Sequence, residues 1–115
     1  MTGLHPQLNN PTRLTVLAFL TGCQEAEFGA VRDYAQVSDS ALSKAAAALE
    51  EAGYVRVKKG YVGKRPRTWL AATKEGRVAL AAHLAALQQL ASAAEAAGAA
   101  SSSGPLSKGS DPQQA

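Results

Sequence analysis

The stretch VSDSALSKAAAALEEAGYVRVKKGYVGKRPR, from Val37 to Arg67, constrains the fold more than any other part of the chain. It contains a change of period. Up to Gly53 the apolar residues Leu42, Ala45, Ala46 and Leu49 recur at i, i+3, i+4, i+7, which is one face of an α-helix. Ser38 stands just ahead of that pattern, where its hydroxyl oxygen can accept from an orphan backbone N–H. Gly53 ends it, because glycine takes the left-handed C′ conformation without a Cβ penalty. Beyond Gly53 the pattern alternates, with Val55 and Val57 on one face of a strand and Arg56 and Lys58 on the other. Gly60, Gly63 and Pro66 read as breakers around Lys64, Arg65 and Arg67, and Thr68 to Thr73 reads as a returning strand. The stretch predicts a helix followed by a hairpin with a basic tip.

Ahead of it, Asn10-Pro11 predicts a helix start, with asparagine as N-cap and proline at the first helical position. Leu14, Leu17, Ala18 and Thr21 lie on one side of this helix, Val16 and Leu20 widen its apolar face, and Gly22 stops it. So broad an apolar face belongs at the centre of a core. Residues 1–9 carry little pattern and read as an arm or a single helical turn. Glu25 to Phe28 can make one short strand. Gly29 to Ala35 reads as a second helix with Val31, Tyr34 and Ala35 inward. The three-residue turn Gln36-Val37-Ser38 joins it to the third, and two helices so closely linked form a helix-turn-helix.

In the returning strand, either Trp69 and Ala71 or Leu70 and Ala72 face the core. Thr73 is expected to cap a last helix running to about Ala97, with Glu75 in the first turn where an acid suits the dipole. Its apolar stripe is Leu80, Leu84, Leu87 and Ala91, broadened by Leu90. From Gly98 the composition shifts to Gly, Ser, Pro and Gln, which predicts a disordered tail. The expected organisation is an arm (1–9), one α+β, mostly α domain (10–97) and a tail (98–115).

The net charge of +3 says little until it is mapped. Between Tyr54 and Arg77 there are eight basic residues against Glu75 alone, a local charge of +7, so the rest of the chain carries −4. A basic segment on an acidic body is the footprint of a nucleic-acid face. Charge that merely discourages edge-to-edge strand pairing would account for Lys58 and Lys59, but less well for Lys64, Arg65 and Arg67 clustered at the tip.

These features together resemble the small stand-alone winged helix-turn-helix regulators of bacteria, of the MarR-like and ArsR-like kind. The likeness is carried by Pro11-Thr12-Arg13-Leu14, Val37-Ser38-Asp39, Leu42-Ser43-Lys44, Leu49 through Val55, Gly63 through Thr68, and Thr73-Lys74-Glu75-Gly76-Arg77, and it covers roughly Leu8 to Leu90. It implies a winged helix: a three-helix core, a small antiparallel sheet whose hairpin is the wing, and a long C-terminal helix. It also implies that the Glu25–Phe28 strand pairs with the hairpin, and that Leu70 and Ala72 face the core with Trp69 outside. Relatives often carry glycine where Gln36 stands, so either Gln36 takes an unfavourable backbone angle or the turn differs slightly. In the family such terminal helices pair subunits. Leu84, Leu87 and Leu90 are therefore expected to form a C2 dimer seam, while Val78 and Leu80 serve the domain.

The third helix exposes a slim, polar face suited to a major groove about 12 Å wide. Ser38, Ser40, Ser43 and Lys44 from this helix, with Lys58, Lys64, Arg65 and Arg67 from the hairpin, are the candidate DNA-binding residues. An ordinary solvated helix face is the bland alternative for the first set. Asp39 would repel phosphate and is assigned to capping or to orienting a basic neighbour. Arg13 and Arg32 suit phosphate contacts and surface salt bridges equally.

Nothing points to catalysis: Cys23 has no histidine near it in sequence, and no nucleophile elbow, P-loop or HExxH motif is present. No cofactor or metal is expected, and His5 and His83 read as surface residues. One cysteine, no signal-peptide pattern and no apolar run long enough to cross a bilayer suggest a cytoplasmic protein. The expected function is sequence-specific binding of double-stranded DNA by a homodimeric transcriptional regulator. Repression is favoured, because occupying a promoter most simply blocks polymerase. A small-molecule effector stays open as a partner. The rival expectations are a winged-helix protein–protein interaction module that does not touch DNA and, more weakly, RNA binding by the basic hairpin.

Overall fold

The computed structural model describes residues 3–101. Pro6–Leu8 forms a single 3-10 turn. Then follow α1 (Pro11–Thr21), β1 (Ala26–Glu27), α2 (Phe28–Ala35), α3 (Asp39–Glu51), β2 (Val55–Val62), β3 (Arg65–Ala72) and α4 (Lys74–Ser101). The sheet is antiparallel in the order β1-β3-β2. The mostly helical α+β class expected from the sequence is the one observed.

Local chemistry sets most of the boundaries. Asn10 caps α1, its side-chain oxygen accepting from Arg13 N–H at 3.0 Å with Pro11 at the first position. Ser38 Oγ accepts from Ala41 N–H at 3.0 Å at the start of α3. Gly53, at φ +85°, ends that helix as expected. Gln36 takes φ 57°, ψ 49° and closes α2 in the left-handed region, the unfavourable angle of the two alternatives. Thr73 Oγ1 accepts from Gly76 N–H at 2.9 Å at the head of α4.

The core gathers Leu8, Val16, Leu17, Leu20, Val31, Leu42, Leu49, Val55, Leu70 and Leu80. Leu42, Ala45, Ala46 and Leu49 of α3 are all buried. Leu70 pairs with Val57 on one side and Ala26 on the other, so Leu70 and Ala72 face the core and Trp69 lies on the outer face. Ala71 is shielded as well.

Several assignments need correction. On α1 the covered face centres on Val16, Leu17 and Leu20, which turns Ala18 to solvent. Tyr34 of α2 is 61% exposed and stacks on Phe19 at 4.7 Å instead of entering the core. Val78 is 62% exposed, because the face of α4 that meets the domain is Gly76, Ala79, Leu80 and His83. Gly60 and Pro66 do not break the strands. β1 pairs only as far as Trp69, so at Pro66 one edge of β3 is open, which is where a strand tolerates proline. The turn is reduced to Gly63 and Lys64, with Gly63 at φ +64°. α4 runs through Gly98 to Ser101, carried by flanking alanines of high helix propensity. The rest of the expected tail, 102–115, lies outside the described residues.

The histidines are not surface residues. His83 is 1% exposed, and its Nδ1 accepts from His5 N–H at 3.0 Å. His5 Nδ1 lies 3.1 Å from the Tyr54 hydroxyl. These bonds, with buried Leu8, dock residues 5–8 onto α4 and the α3–β2 corner. Among the described residues no helix is long and apolar enough to cross a membrane.

The tightest junction is at Gly76, where a Cβ would overlap the Tyr54 carbonyl oxygen. Backbone cannot yield as a flexible side chain can. Gly76→Ala should therefore lose about 1–3 kcal/mol, the usual cost of overpacking, read as a lower urea midpoint. Gly98→Ala, with open space around it, is the control that should lose nothing. An unchanged midpoint for Gly76→Ala would show that α4 does not pass so close to Tyr54.

Candidate nucleic-acid interface

α3 and the β2–β3 hairpin border an open groove of about 690 Å³. Asp39, Ser43, Ala46, Ala47 and Glu50 line it from α3, Val57 and Lys59 from β2, and Pro66, Arg67 and Thr68 from β3. The α3 side is narrow because its residues are small. Burial of Leu42, Ala45, Ala46 and Leu49 behind them fixes that face outward.

The structure brings together only part of the expected set. Ser43 and Arg67 line the same groove. Ser40 and Lys44, adjacent to it on the helix, are exposed. Ser38 is exposed too, with its hydroxyl engaged in the cap. Lys64 and Arg65 are exposed at the hairpin tip. Lys58 is elsewhere. It is paired with Trp69 on the outer face, its Nζ 5.5 Å from the ring centroid and 3.7 Å from Glu25. The cation that alternation places in the groove is Lys59, which shares its face with Val55 and Val57 and was missed. The period-2 pattern already carried that signal.

Charge within the groove is balanced, since Glu27, Asp39 and Glu50 line it along with Arg32, Lys59 and Arg67. Asp39 is held by Arg32, whose Nη1 donates to Asp39 Oδ1 at 2.9 Å while its Nε donates to Asp33 Oδ1 at 3.0 Å. The bonds to Asp39 and then Asp33 raise the Arg32 pKa, so it stays cationic. Arg32 thus orients Asp39 across the α2–α3 turn. Excess positive charge comes from the exposed Lys44, Lys64 and Arg65. Two other cations are structural. Arg13 Nε donates to Gln7 O at 2.6 Å. Arg77 donates to Thr21 O at 2.7 Å and Cys23 O at 3.2 Å, capping the C-terminal end of α1. Among the described residues no group of three His, Cys, Asp or Glu could hold a metal ion.

The family described as "Winged helix DNA-binding domain" matches residues 12–91, from α1 through the hairpin and into α4. The chain belongs to that family. An uncharacterized protein of Methanocaldococcus jannaschii is 32% identical over 82 residues, 71% of this chain and 89% of that one. Among solved structures, a transcriptional regulator homologue from Pyrococcus horikoshii OT3 superposes with a TM-score of 0.71 at 26% identity, over 76% of this chain and 87% of that chain. YusO from Bacillus subtilis superposes with a TM-score of 0.59 at 20% identity, over 86% and 79% respectively. A MarR family transcriptional regulator from Silicibacter pomeroyi DSS superposes at 0.55 and 19%, over 89% and 62%. The last two share the fold. The winged helix expected from the sequence is thus the family and the fold found. In this fold α3 is the second helix of the helix-turn-helix and the β2–β3 hairpin is the wing.

The two neighbouring wing lysines should behave differently. Lys59→Ala should flatten the slope of log affinity for duplex DNA against log salt by about 0.9 per bound domain. Lys58→Ala, whose ammonium is paired with Glu25 over Trp69, should leave the slope unchanged. Equal slopes for the two variants would show that the wing's two faces are not distinguished by DNA.

Proposed function

We propose that this winged helix protein is a transcriptional regulator that binds double-stranded DNA sequence-specifically as a homodimer and acts as a repressor. The observation that carries this reading is the groove in which the slim face of α3 stands beside a wing tipped by Lys64 and Arg65. A recognition helix can enter a major groove while wing cations meet the flanking backbone. Ser40, Ser43 and Lys44 would then read base edges, and Lys59, Lys64, Arg65 and Arg67 would supply sequence-independent affinity. Ser38 serves the cap and, at the helix start, can also lie near phosphate. The reading assigns the protein no catalytic role.

The dimer is supported by α4. At 28 residues it is about 42 Å long, more than the domain covers. Its buried residues end at Ala86, and Leu84, Leu87 and Leu90 stand 47%, 36% and 43% exposed. A row of leucines in water on a helix projecting from its domain suits an isologous pairing of two such helices. Two DNA-binding domains would then address two half-sites.

A single titration series tests both parts. Wild type and Leu84→Gln/Leu87→Gln are compared on random and genomic duplex DNA at two salt concentrations, with sedimentation at the same protein concentrations. The wild type should sediment as a dimer and bind tightly, with strong salt dependence. The double variant should be a folded monomer with a much weaker affinity. Absence of salt-sensitive DNA binding by the wild type would instead support a protein–protein interaction module, and a monomeric wild type that still binds tightly would remove the dimer.

A further inference from the structure

The Trp69 side of the sheet carries a second arrangement of charges, two of which, Glu27 and Arg67, also line the groove beside α3. Glu27, Trp69 and Lys58 lie side by side there on β1, β3 and β2, and Arg67 pairs with Gly60 one step nearer the wing tip. Arg67 Nε stands 3.0 Å from Glu27 Oε2, and Arg67 Nη1 donates to Pro66 O at 3.2 Å. Trp69 lies across Gly60, where a Cβ would come within 3.1 Å of its ring. The tryptophan thus fills the space beside Arg67 on this face.

An arginine near the tip of an exposed hairpin would ordinarily sample many rotamers, and ordering it on DNA would reduce affinity. Here the guanidinium is held at two nitrogens before any ligand arrives. A phosphate is recognised by two parallel N–H groups on one edge of the fork. With Nε on Glu27, the edge left to present is that of Nη1 and Nη2, and among the described residues nothing engages Nη2. The pair is too exposed to add much stability, with side chains 36% and 43% accessible. Its effect is on direction.

We propose that Glu27, on the short strand before the helix-turn-helix, is a positioning residue for DNA binding: it aims the Nη1–Nη2 edge of Arg67 at the phosphate backbone. This rests on the DNA-binding reading above, and adds to it that a carboxylate beside the interface strengthens binding. Simple electrostatics gives the opposite sign, because removing a negative charge near DNA should tighten the complex. The sign of the effect therefore decides.

The test is a double-mutant cycle on a labelled mixed-sequence duplex, using full-length wild type, Glu27→Ala, Glu27→Gln, Arg67→Ala and the Glu27→Ala/Arg67→Ala pair. Melting temperatures should agree throughout. Glu27→Ala should weaken binding by about fivefold per bound domain, the order of re-ordering one long side chain. Glu27→Gln should lose part of this, since it keeps a side-chain oxygen beside Nε but not the charge of the ion pair. In the Arg67→Ala background Glu27→Ala should change nothing, and the double variant should show the salt slope of Arg67→Ala. Tighter binding by Glu27→Ala, or an equal loss with and without Arg67, overturns the proposal. So does an Arg67→Ala variant that binds like a DNA-binding wild type. A wild type that binds no DNA defeats the functional reading itself.

Discussion

A small knot of hydrogen bonds around Thr73 joins the wing to α3 and α4. Its hydroxyl donates to Gly53 O at 2.6 Å and accepts from Gly76 N–H at 2.9 Å, while its own N–H donates to Tyr54 O at 2.9 Å. Gly53 follows α3, Tyr54 precedes β2, Thr73 follows β3 and Gly76 lies in the first turn of α4. One residue, through its hydroxyl and its backbone N–H, thus ties the end of α3, both roots of the wing and the start of α4. Gly76 is what permits the close approach. Arg77, one residue on, carries the tie to the end of α1. The knot joins the roots of the wing to the end of α3, at the base of the groove between them.

On that frame the charges divide by sheet face. Lys59 shares the inner face with Val55 and Val57, toward α3. Lys58 lies on the outer face over Trp69, where Glu25 meets it, while Arg67, met by Glu27, also lines the groove. Lys64 and Arg65 stand at the tip, in solvent. Of the positive charge concentrated between Tyr54 and Arg77, one part is therefore already balanced within the fold and another is available to a polyanion. Arg77 belongs to the first part, since it closes carbonyls at the end of α1. Counting basic residues along the chain overstates the interface for this reason.

What could be read from sequence follows the range of the interactions. Caps at Asn10, Ser38 and Thr73 and the stop at Gly53 act within one helical turn, so residue type and spacing were enough. The left-handed Gln36 was one of two alternatives, raised only because relatives carry glycine there. The α3 stripe was legible because four apolar residues at helical spacing admit one inward face. Helix faces that depend on which neighbour covers them were not, and Ala18, Tyr34 and Val78 were placed inward though they are open. The His5–His83 bond joins residues 78 apart, and no local pattern announces it. Gly60 and Pro66 look like breakers locally, but Trp69 lies over the first and an open strand edge accommodates the second. The ion pairs of Glu25 and Glu27 require the β1–β3 register, which two residues of strand do not disclose. Among the site residues, Lys59 was legible by alternation and overlooked, whereas the engagement of Lys58 was hidden.

The central claim is that α3 and the wing together form a DNA-binding surface while α4 serves another purpose. Amide chemical shifts followed by NMR during titration with a duplex DNA test it most directly, because every element reports at once. The account predicts perturbations concentrated in Ser38 to Ala47 and in Lys59 to Arg67, with the exposed part of α4 around Leu84, Leu87 and Leu90 unchanged. Perturbations confined to α4, or none at DNA concentrations that saturate other winged helix domains, would contradict it.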